Sequence, residues 1–205
     1  KYFKPFQVGS GMIICPSWEK AENTENKKVL KIDPGHVFGT GTHETTRLCI
    51  EFIENFVKEG DMVLDIGCGS GILSIASLLF GAGHADAVDI DPNAVDIAYT
   101  NAGMNGIGKD VYTVVSGNIL ADDELDKCYS GKKYDVVEAN IVADVIIALT
   151  DKIPSYIKDG GIFISSGIIV ERLGDVVSAL EKSGFEVLDI NREKGWAAVA
   201  SKYKG

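Results

Sequence analysis

Apolar residues along this chain follow two rhythms, short runs or alternations of strand type and stripes of helical spacing, and from residue 62 onward these take turns. Met62 to Ile66 is a short apolar run followed at once by glycines, which predicts a buried strand. Gly71 to Phe80 carries apolar residues at helical spacing, and Ala85 to Ile90 is strand-like again. Pro92 opens the next helix, since proline suits a first helical turn, and this helix runs to about Asn105 before Gly106 and Gly108. Val111 to Val115 is β-branched and extended, and Tyr134 to Ala139 reads as another buried strand. Ile141 to Ile157 places Val142, Val145, Ile146, Leu149, Ile153 and Ile157 at helical spacing, with Gly160-Gly161 as the break. Ile162 to Ser165 is a strand, Glu171 to Ser183 a helix ended by Gly184. Phe185 to Asn191 and Trp196 to Lys202 close the chain as an antiparallel pair.

Alternating β and α units predict an α/β fold, a Rossmann-like, doubly wound and mostly parallel sheet of seven strands with a terminal antiparallel hairpin at one edge. In such a sheet ligands bind beyond the carboxyl ends of the strands. The first forty residues differ in kind. Gly11 to Cys15 and Val29 to Ile32 are expected to pair as a short β-hairpin around the polar loop Glu19 to Lys28. Phe38-Gly39-Thr40-Gly41-Thr42 is a glycine-spaced loop leading into a helix from about His43 to Val57, with Thr42 as its N-cap and Leu48, Ile50, Phe52, Ile53 and Phe56 on its buried face.

Composition narrows the chemistry. The 205 residues are 45% hydrophobic and 24% charged, ordinary values for a globular domain. No apolar run is long enough to predict a membrane-spanning helix. Twenty Lys plus Arg against 30 Asp plus Glu give a formal net charge of −10, which disfavours direct nucleic-acid binding. The four cysteines (Cys15, Cys49, Cys68, Cys128) lie far apart without a C-x-x-C pair, so neither a metal site nor a disulfide framework is predicted and a reducing cytoplasm is the expected location. The chain opens Lys1-Tyr2-Phe3-Lys4 without an initiator methionine and is expected to be a piece of something longer.

The strongest chemical signal is Asp65-Ile66-Gly67-Cys68-Gly69-Ser70-Gly71 between a strand and a helix. Glycines let the backbone approach a ligand, and the helix start behind them offers free N–H donors. The third glycine, Gly71, falls one residue early for a dinucleotide G-x-G-x-x-G loop. Asp65 before the loop would repel a pyrophosphate and suits a ligand with an amino acid ammonium group. One βα unit further, Asp89 stands at the end of the next strand, where a carboxylate can accept bonds from both hydroxyls of a ribose. Asp91 is the rival for that role, but it precedes Pro92 and fits a helix cap better.

D-I-G-C-G-S-G followed by V-D-I-D-P resembles the motifs of class I S-adenosylmethionine-dependent methyltransferases. F-G-T-G-T-H-x-T-T at Phe38 to Thr46, A-N-I at Ala139 to Ile141 and S-G-I at Ser166 to Ile168 resemble, more narrowly, the PrmA family, whose members methylate ribosomal protein L11. F-K-P-F-Q-V-G and C-P-S-W at the start are similar to that family's interdomain connector. The resemblance implies the class I methyltransferase fold, with residues 1–40 as connector and start of the active-site loop, 41–205 as the cofactor-binding catalytic domain, and a substrate-recognition domain ahead of the chain. The implied cofactor is S-adenosyl-L-methionine, the implied partner ribosomal protein L11, and the implied form a cytoplasmic bacterial monomer. Gly67, Gly69 and Gly71 with Asp65 would carry the methionine portion, Asp89 the ribose, and Thr46 would reach the cofactor from the other side. Asn140 would face both the cofactor and the incoming amine, as the catalytic residue. Phe38 and His43 would belong to the active-site wall, His43 as a donor that orders the loop. Two local readings stay open beside these, since both Thr46 and Asn140 suit helix caps. Glu44 stands where the family pattern has proline, and Gly195 where a glutamate often precedes the tryptophan.

The chemistry so implied is transfer of a methyl group to an unprotonated amine, a lysine side chain or an N-terminal amine, with no dedicated base. The alternatives are a class I methyltransferase for another protein or a small molecule, and a nucleotide-binding protein that is not an enzyme. Nucleic-acid amino-methylation goes with an N-P-P-aromatic motif, whereas Asn140 is followed by Ile141-Val142.

Overall fold

The fold described below is a computed structural model covering residues 4–22, 24–33 and 44–205. Two sheets organise these residues. In the first, β1 (Phe6–Val8) runs antiparallel to β2 (Met12–Pro16), and β3 (Lys28–Ile32) lies parallel to β2 with Ile14 opposite Leu30. The segments 11–15 and 29–32 therefore do pair, but in parallel and not as a hairpin. The connection over 17–27 carries the chain back to the end of β2 where it began, and the hairpin is formed instead by β1 and β2. Met12, Ile14, Leu30 and Ile32 are buried in one core with Ile50, Phe52 and Ile53 of helix α1 (Glu44–Phe56), so this small sheet is packed on the larger domain.

The larger domain alternates β4 (Met62–Ile66), α2 (Ile72–Leu79), β5 (His84–Asp89), α3 (Asn93–Met104), β6 (Tyr112–Ser116), α4 (Asp123–Ser130), β7 (Tyr134–Asn140), α5 (Ala143–Leu149), α6 (Ile153–Tyr156), β8 (Ile157–Ile169), α7 (Leu173–Lys182), β9 (Phe185–Glu193) and β10 (Trp196–Tyr203). The sheet order is β6-β5-β4-β7-β8-β10-β9. Strands β4 to β8 are parallel, and β10 runs antiparallel to β8 on one side and β9 on the other. The closing hairpin thus inserts its second strand next to β8 and leaves β9 outermost.

Alternation along the central strands feeds two cores. Val63 and Val136 join the core under α1, α2 and the small sheet, while Leu64, Ile66 and Val137 join the core with Ile146, Tyr156 and Leu180 on the other face. The chain direction reverses about β4, since β5 and β6 extend the sheet one way and β7 and β8 the other. That switch point, at the carboxyl ends of β4 and β7, is where such a fold opens a crevice.

Three elements differ from the expected pattern. The single helix expected over Ile141 to Ile157 is two, because Ile141 is a bend, Val142 is still extended, and the chain breaks over 150–152 ahead of Pro154, which sits in the first turn of α6. Gly160-Gly161 lies within β8 and does not precede it. Tyr134 pairs with Ile157 but Val136 already pairs with Ile162, so the glycines form a bulge, with Gly160 at φ +77°. Helix α4 is not announced by the pattern, as only Tyr129 of its residues is buried. Its start is set by Asp122, whose Oδ1 accepts from the N–H groups of Glu124 and Leu125. Among the described residues no helix is long and apolar enough to cross a membrane.

Candidate active site

A cavity of about 710 Å³ opens at the carboxyl ends of β4, β5 and β7. Its floor is the loop from Gly67 to Gly69, one wall is Val88-Asp89-Ile90 with Gly117 to Leu120, and the opposite wall is Thr45, Thr46, Asn140 to Val142, Gly167 and Trp196. Most of this lining is apolar. Its polar groups converge from three sides: the loop backbone, Asp89 with Asn118, and Thr46 with Asn140.

The floor owes its shape to its glycines. Gly67 and Gly69 have φ +76° and +51°, and a Cβ on Gly67 would stand 2.5 Å from Cγ2 of Ile141. The loop is fastened to β5: the N–H groups of Gly67 and Cys68 donate to the Val88 carbonyl at 2.8 and 3.2 Å, and Gly69 N–H donates to Asp89 Oδ2 at 2.7 Å. Asp89 Oδ1 accepts from Asp91 N–H at 2.9 Å. A carboxylate has about four acceptor positions, so Asp89 retains capacity toward the cavity that it lines. Asp91 accepts from Asn93 N–H at 2.9 Å and so serves the start of α3.

Asp65 and Gly71 stand behind the cavity wall, not in contact with its interior as the motif alone suggests. Asp65 is fully buried on the α1–α2 side of the sheet, where its Oδ2 accepts from the Ser74 N–H at 3.2 Å and the Ser74 hydroxyl at 2.5 Å. It thereby serves an orphan donor in the first turn of α2 and fixes the helix that the loop enters. Burial pushes its carboxyl up to about 6, against the hydrogen bonds from Ser74 and with the charge of Asp89 adding to the rise. Gly71, at φ +79°, is the N-cap of α2. A Cβ there would meet the Tyr112 hydroxyl at 2.8 Å and Ala98 Cβ at 3.0 Å, so this glycine lets α3 and β6 close on the helix start.

Thr46 and Asn140 do come together. Asn140 ends β7, Thr46 lies in the first turns of α1, and Asn140 Nδ2 donates to Thr46 Oγ1 at 3.3 Å. The A-N-I and S-G-I segments are knitted at the same place. Asn140 pairs with Ser166, Ile141 N–H donates to the Ser166 carbonyl at 3.1 Å, and Gly167 packs so closely on the Ile141 backbone that no Cβ fits. Thr42, Phe38 and His43 lie outside the described residues.

Glu44 and Gly195, the two departures from the family pattern, meet near this wall. Lys194 and Gly195, at φ +48° and +85°, form the two-residue turn that puts Trp196 opposite Glu193. Lys194 Nζ pairs with Glu44 Oε1 at 2.9 Å and Arg47 with Glu193 at 3.7 Å, which ties the turn to α1 beside Trp196. Glycine is thus what the turn requires, and Glu44 is its electrostatic partner.

The wall from Gly117 to Leu120 was not expected from motifs. Its only sequence signal is a glycine directly after the third strand of the unit, one residue beyond the level of Gly67 and Asp89. Asn118 shapes it by accepting from Leu120 N–H at 3.0 Å. Cys68 also lines the cavity, and burial, with Asp65 and Asp89 nearby, pushes its thiol well above the ordinary value. Among the described residues there is no group of side chains that could hold a metal ion.

Sheet order, glycine loop and switch-point cavity together define a class I methyltransferase fold. The same architecture is found, at the level of fold alone, in a TehB-like SAM-dependent methyltransferase from Corynebacterium glutamicum, with a TM-score of 0.59 and 17% identity over 77% of this chain and 87% of that one. The family model described as "Ribosomal protein L11 methyltransferase (PrmA)" matches residues 1–204, and the chain belongs to that family. It is 42% identical over 204 residues to a ribosomal protein L11 methyltransferase of Clostridium botulinum, covering 100% of this chain and 62% of that protein. The chain therefore spans about three fifths of the length of such relatives. A crystal structure of ribosomal protein L11 methylase from Lactobacillus delbrueckii superimposes with a TM-score of 0.88 at 29% identity, covering 99% of this chain and 100% of that one.

Proposed function

We propose that the protein is an S-adenosylmethionine-dependent N-methyltransferase acting on amino groups of ribosomal protein L11, lysine side chains or the N-terminal amine. The observation that carries this reading is the convergence of Asp89, the glycine floor and the Thr46–Asn140 pair on one cavity. The donor set suits the cofactor. Asp89 offers free acceptor positions to ribose hydroxyls, Ile90, Ile119 and Leu120 offer an apolar slot for a base, and the absence of a Cβ on Gly67 leaves room for the methionine end. Asp65 and Gly71 support that end from behind. When bound, the cofactor supplies a methyl group activated by its sulfonium centre.

The chain's own residues then have to orient and desolvate an amine. Donation of the Asn140 amide N–H to Thr46 leaves its side-chain carbonyl to accept a hydrogen bond from the amine and aim the lone pair. A free lysine is almost wholly protonated at neutral pH, and the apolar lining around Val142 and Trp196 favours its neutral form. Residues 1–40 act as the connector and 41–205 as the catalytic domain, with substrate recognition supplied by further sequence of the longer relatives. The net charge of −10 fits a cytoplasmic protein that binds a basic substrate without binding nucleic acid directly, and we take it to be a monomer.

Intact-mass analysis of ribosomal protein L11 incubated with S-adenosylmethionine tests this, with the 205-residue chain alone and joined to the additional segment that its longer relatives carry. Methyl-sized increments are expected, largest with the longer form. Bound S-adenosylhomocysteine without increments from either would redirect the search to another protein or a small molecule. Asn140→Ala is expected to lower turnover by more than it lowers cofactor affinity, and unchanged turnover would remove Asn140 from its role.

A further inference from the structure

Glu138 lies two residues before Asn140 on β7 and, in the parallel register, beside Asp65 on β4. Both have the strand parity of Val63 and Val136, which face α1 and α2, and both are fully buried. Each is held through one oxygen. Asp65 Oδ2 accepts from Ser74, and Glu138 Oε1 accepts from the hydroxyl of Ser77, one turn further along α2. The remaining oxygens, Asp65 Oδ1 and Glu138 Oε2, have no partner. Orphaned buried acceptors are costly, and here two of them belong to neighbouring side chains.

Among the described residues, the groups that face the pair offer no compensating cation. They are Cys49 from α1, Cys68 from the glycine loop, Tyr112 from β6 and Asp89 from β5. Burial drives the Glu138 carboxyl well above the carboxylate range, and Asp65 adds to the rise. Two carboxylates cannot both stay ionised side by side in a dry interior, whereas one proton between them converts two orphans into a single hydrogen bond.

We propose that Asp65 and Glu138 share one proton between Asp65 Oδ1 and Glu138 Oε2, and that this bridge is a positioning element that holds the glycine-loop side of the cavity in register with the Asn140 side. Asp65 governs the start of α2, Glu138 precedes Asn140 on the same face of β7, and no other described side-chain hydrogen bond joins β4 to β7 at this level. Loss of the proton to solvent as pH rises leaves two like charges together and pushes the ends of β4 and β7 apart. The positioning half of this inference rests on the cofactor reading above, whereas the shared proton does not.

Infrared spectroscopy of the 205-residue chain at neutral pH is expected to show the C=O stretch of a protonated buried carboxyl, displaced in heavy water and lost in Glu138→Gln. Ser77→Ala, which keeps both carboxyls, is expected to move that band without removing it. Glutamine can still donate to Asp65 and accept from Ser77, so Glu138→Gln preserves the bridge without its titratable proton. Calorimetric titration with S-adenosylhomocysteine between pH 6 and 9 is then expected to show a fall in wild-type affinity of at least about five-fold beyond any fall in Glu138→Gln, the low end of coupling between sites. Absence of the band in the wild type, or its persistence in Glu138→Gln, overturns the shared proton. A band present with superimposable affinity profiles overturns the positioning role. If neither protein binds S-adenosylhomocysteine, it is the cofactor reading that fails, and the infrared result still decides the proton.

Discussion

A carboxylate that already accepts two backbone N–H groups is fixed before any ligand arrives, and Asp89 is in that state through Gly69 and Asp91. Its loss therefore removes an acceptor and loosens the floor of the cavity together. Hydrogen bonds to charged groups contribute about 1.5–3 kcal/mol, so Asp89→Ala is expected to weaken S-adenosylhomocysteine roughly 10- to 100-fold in calorimetric titration. Asp91→Ala removes only a helix-start interaction and is expected to cost about 1 kcal/mol of stability with affinity nearly unchanged. Equal losses of affinity from the two variants would move the ribose contact off Asp89. Positions of this kind are legible in sequence because a polar residue at the carboxyl end of a predicted strand has few places to go. Asp65 shows the limit: the motif marks its strand end, but strand parity turns the side chain toward Ser74, and only the paired register of β4 and β7 reveals Glu138 beside it.

At the scale of elements, α3 holds the small sheet against the glycine loop through two asparagines one turn apart. Buried Asn101 donates from Nδ2 to the Ser70 carbonyl at 2.9 Å and accepts at Oδ1 from Asp33 N–H at 3.0 Å. Asn105 accepts from the Lys31 N–H at 2.8 Å and donates from Nδ2 to the Lys31 carbonyl at 2.7 Å and the Asn101 carbonyl at 2.8 Å. Removing a buried partner costs more than removing an exposed one, which water replaces. Asn101→Ala is accordingly expected to cost about 1–3 kcal/mol in urea unfolding and to speed hydrogen exchange at Asp33, while Asn105→Ala costs about 1 kcal/mol or less. Equal costs would show that Asn101 does not bridge the loop and the sheet. Which elements were legible follows from the same distinction between local and distant causes. β4, β5 and α3 carry their own punctuation in glycines and Pro92. The polar helix α4 buries too little to show a stripe, the break before α6 depends on Pro154 acting within a continuous apolar pattern, and the parallel pairing of β2 with β3 is a long-range choice that neither strand encodes alone.

The molecule as a whole sets one acid cluster against another across its sheet. At the end opposite the cavity, Asp86 is buried and accepts from Lys132 Nζ at 2.8 Å and the Tyr134 hydroxyl at 2.5 Å, with His84 Nε2 at 3.2 Å, so that β5 is tied past β4 to the start of β7. Burial alone would raise the Asp86 carboxyl, but these partners hold it below the ordinary range. Its stabilising effect is therefore complete above the unfolded value near 3.9 and is lost as pH falls through the lower folded value. Asp65 has the opposite sign. Burial holds it and Glu138 beside it above the ordinary range, so the folded chain keeps protons there that the unfolded chain has released, and stability falls as pH climbs above about 4. Stability against urea is thus expected to peak in mildly acid solution and to decline on both sides. Asp86→Asn separates the two limbs, since asparagine resembles the protonated acid. The variant is expected to be less stable than the wild type by about 1–3 kcal/mol at pH 6, to approach it as pH nears 3, and to keep the decline between pH 4 and 6 that belongs to the cavity end. A cost that stays constant from pH 3 to 6 would mean that Asp86 contributes shape and neutral hydrogen bonds, and that its charge with Lys132 adds nothing to the fold.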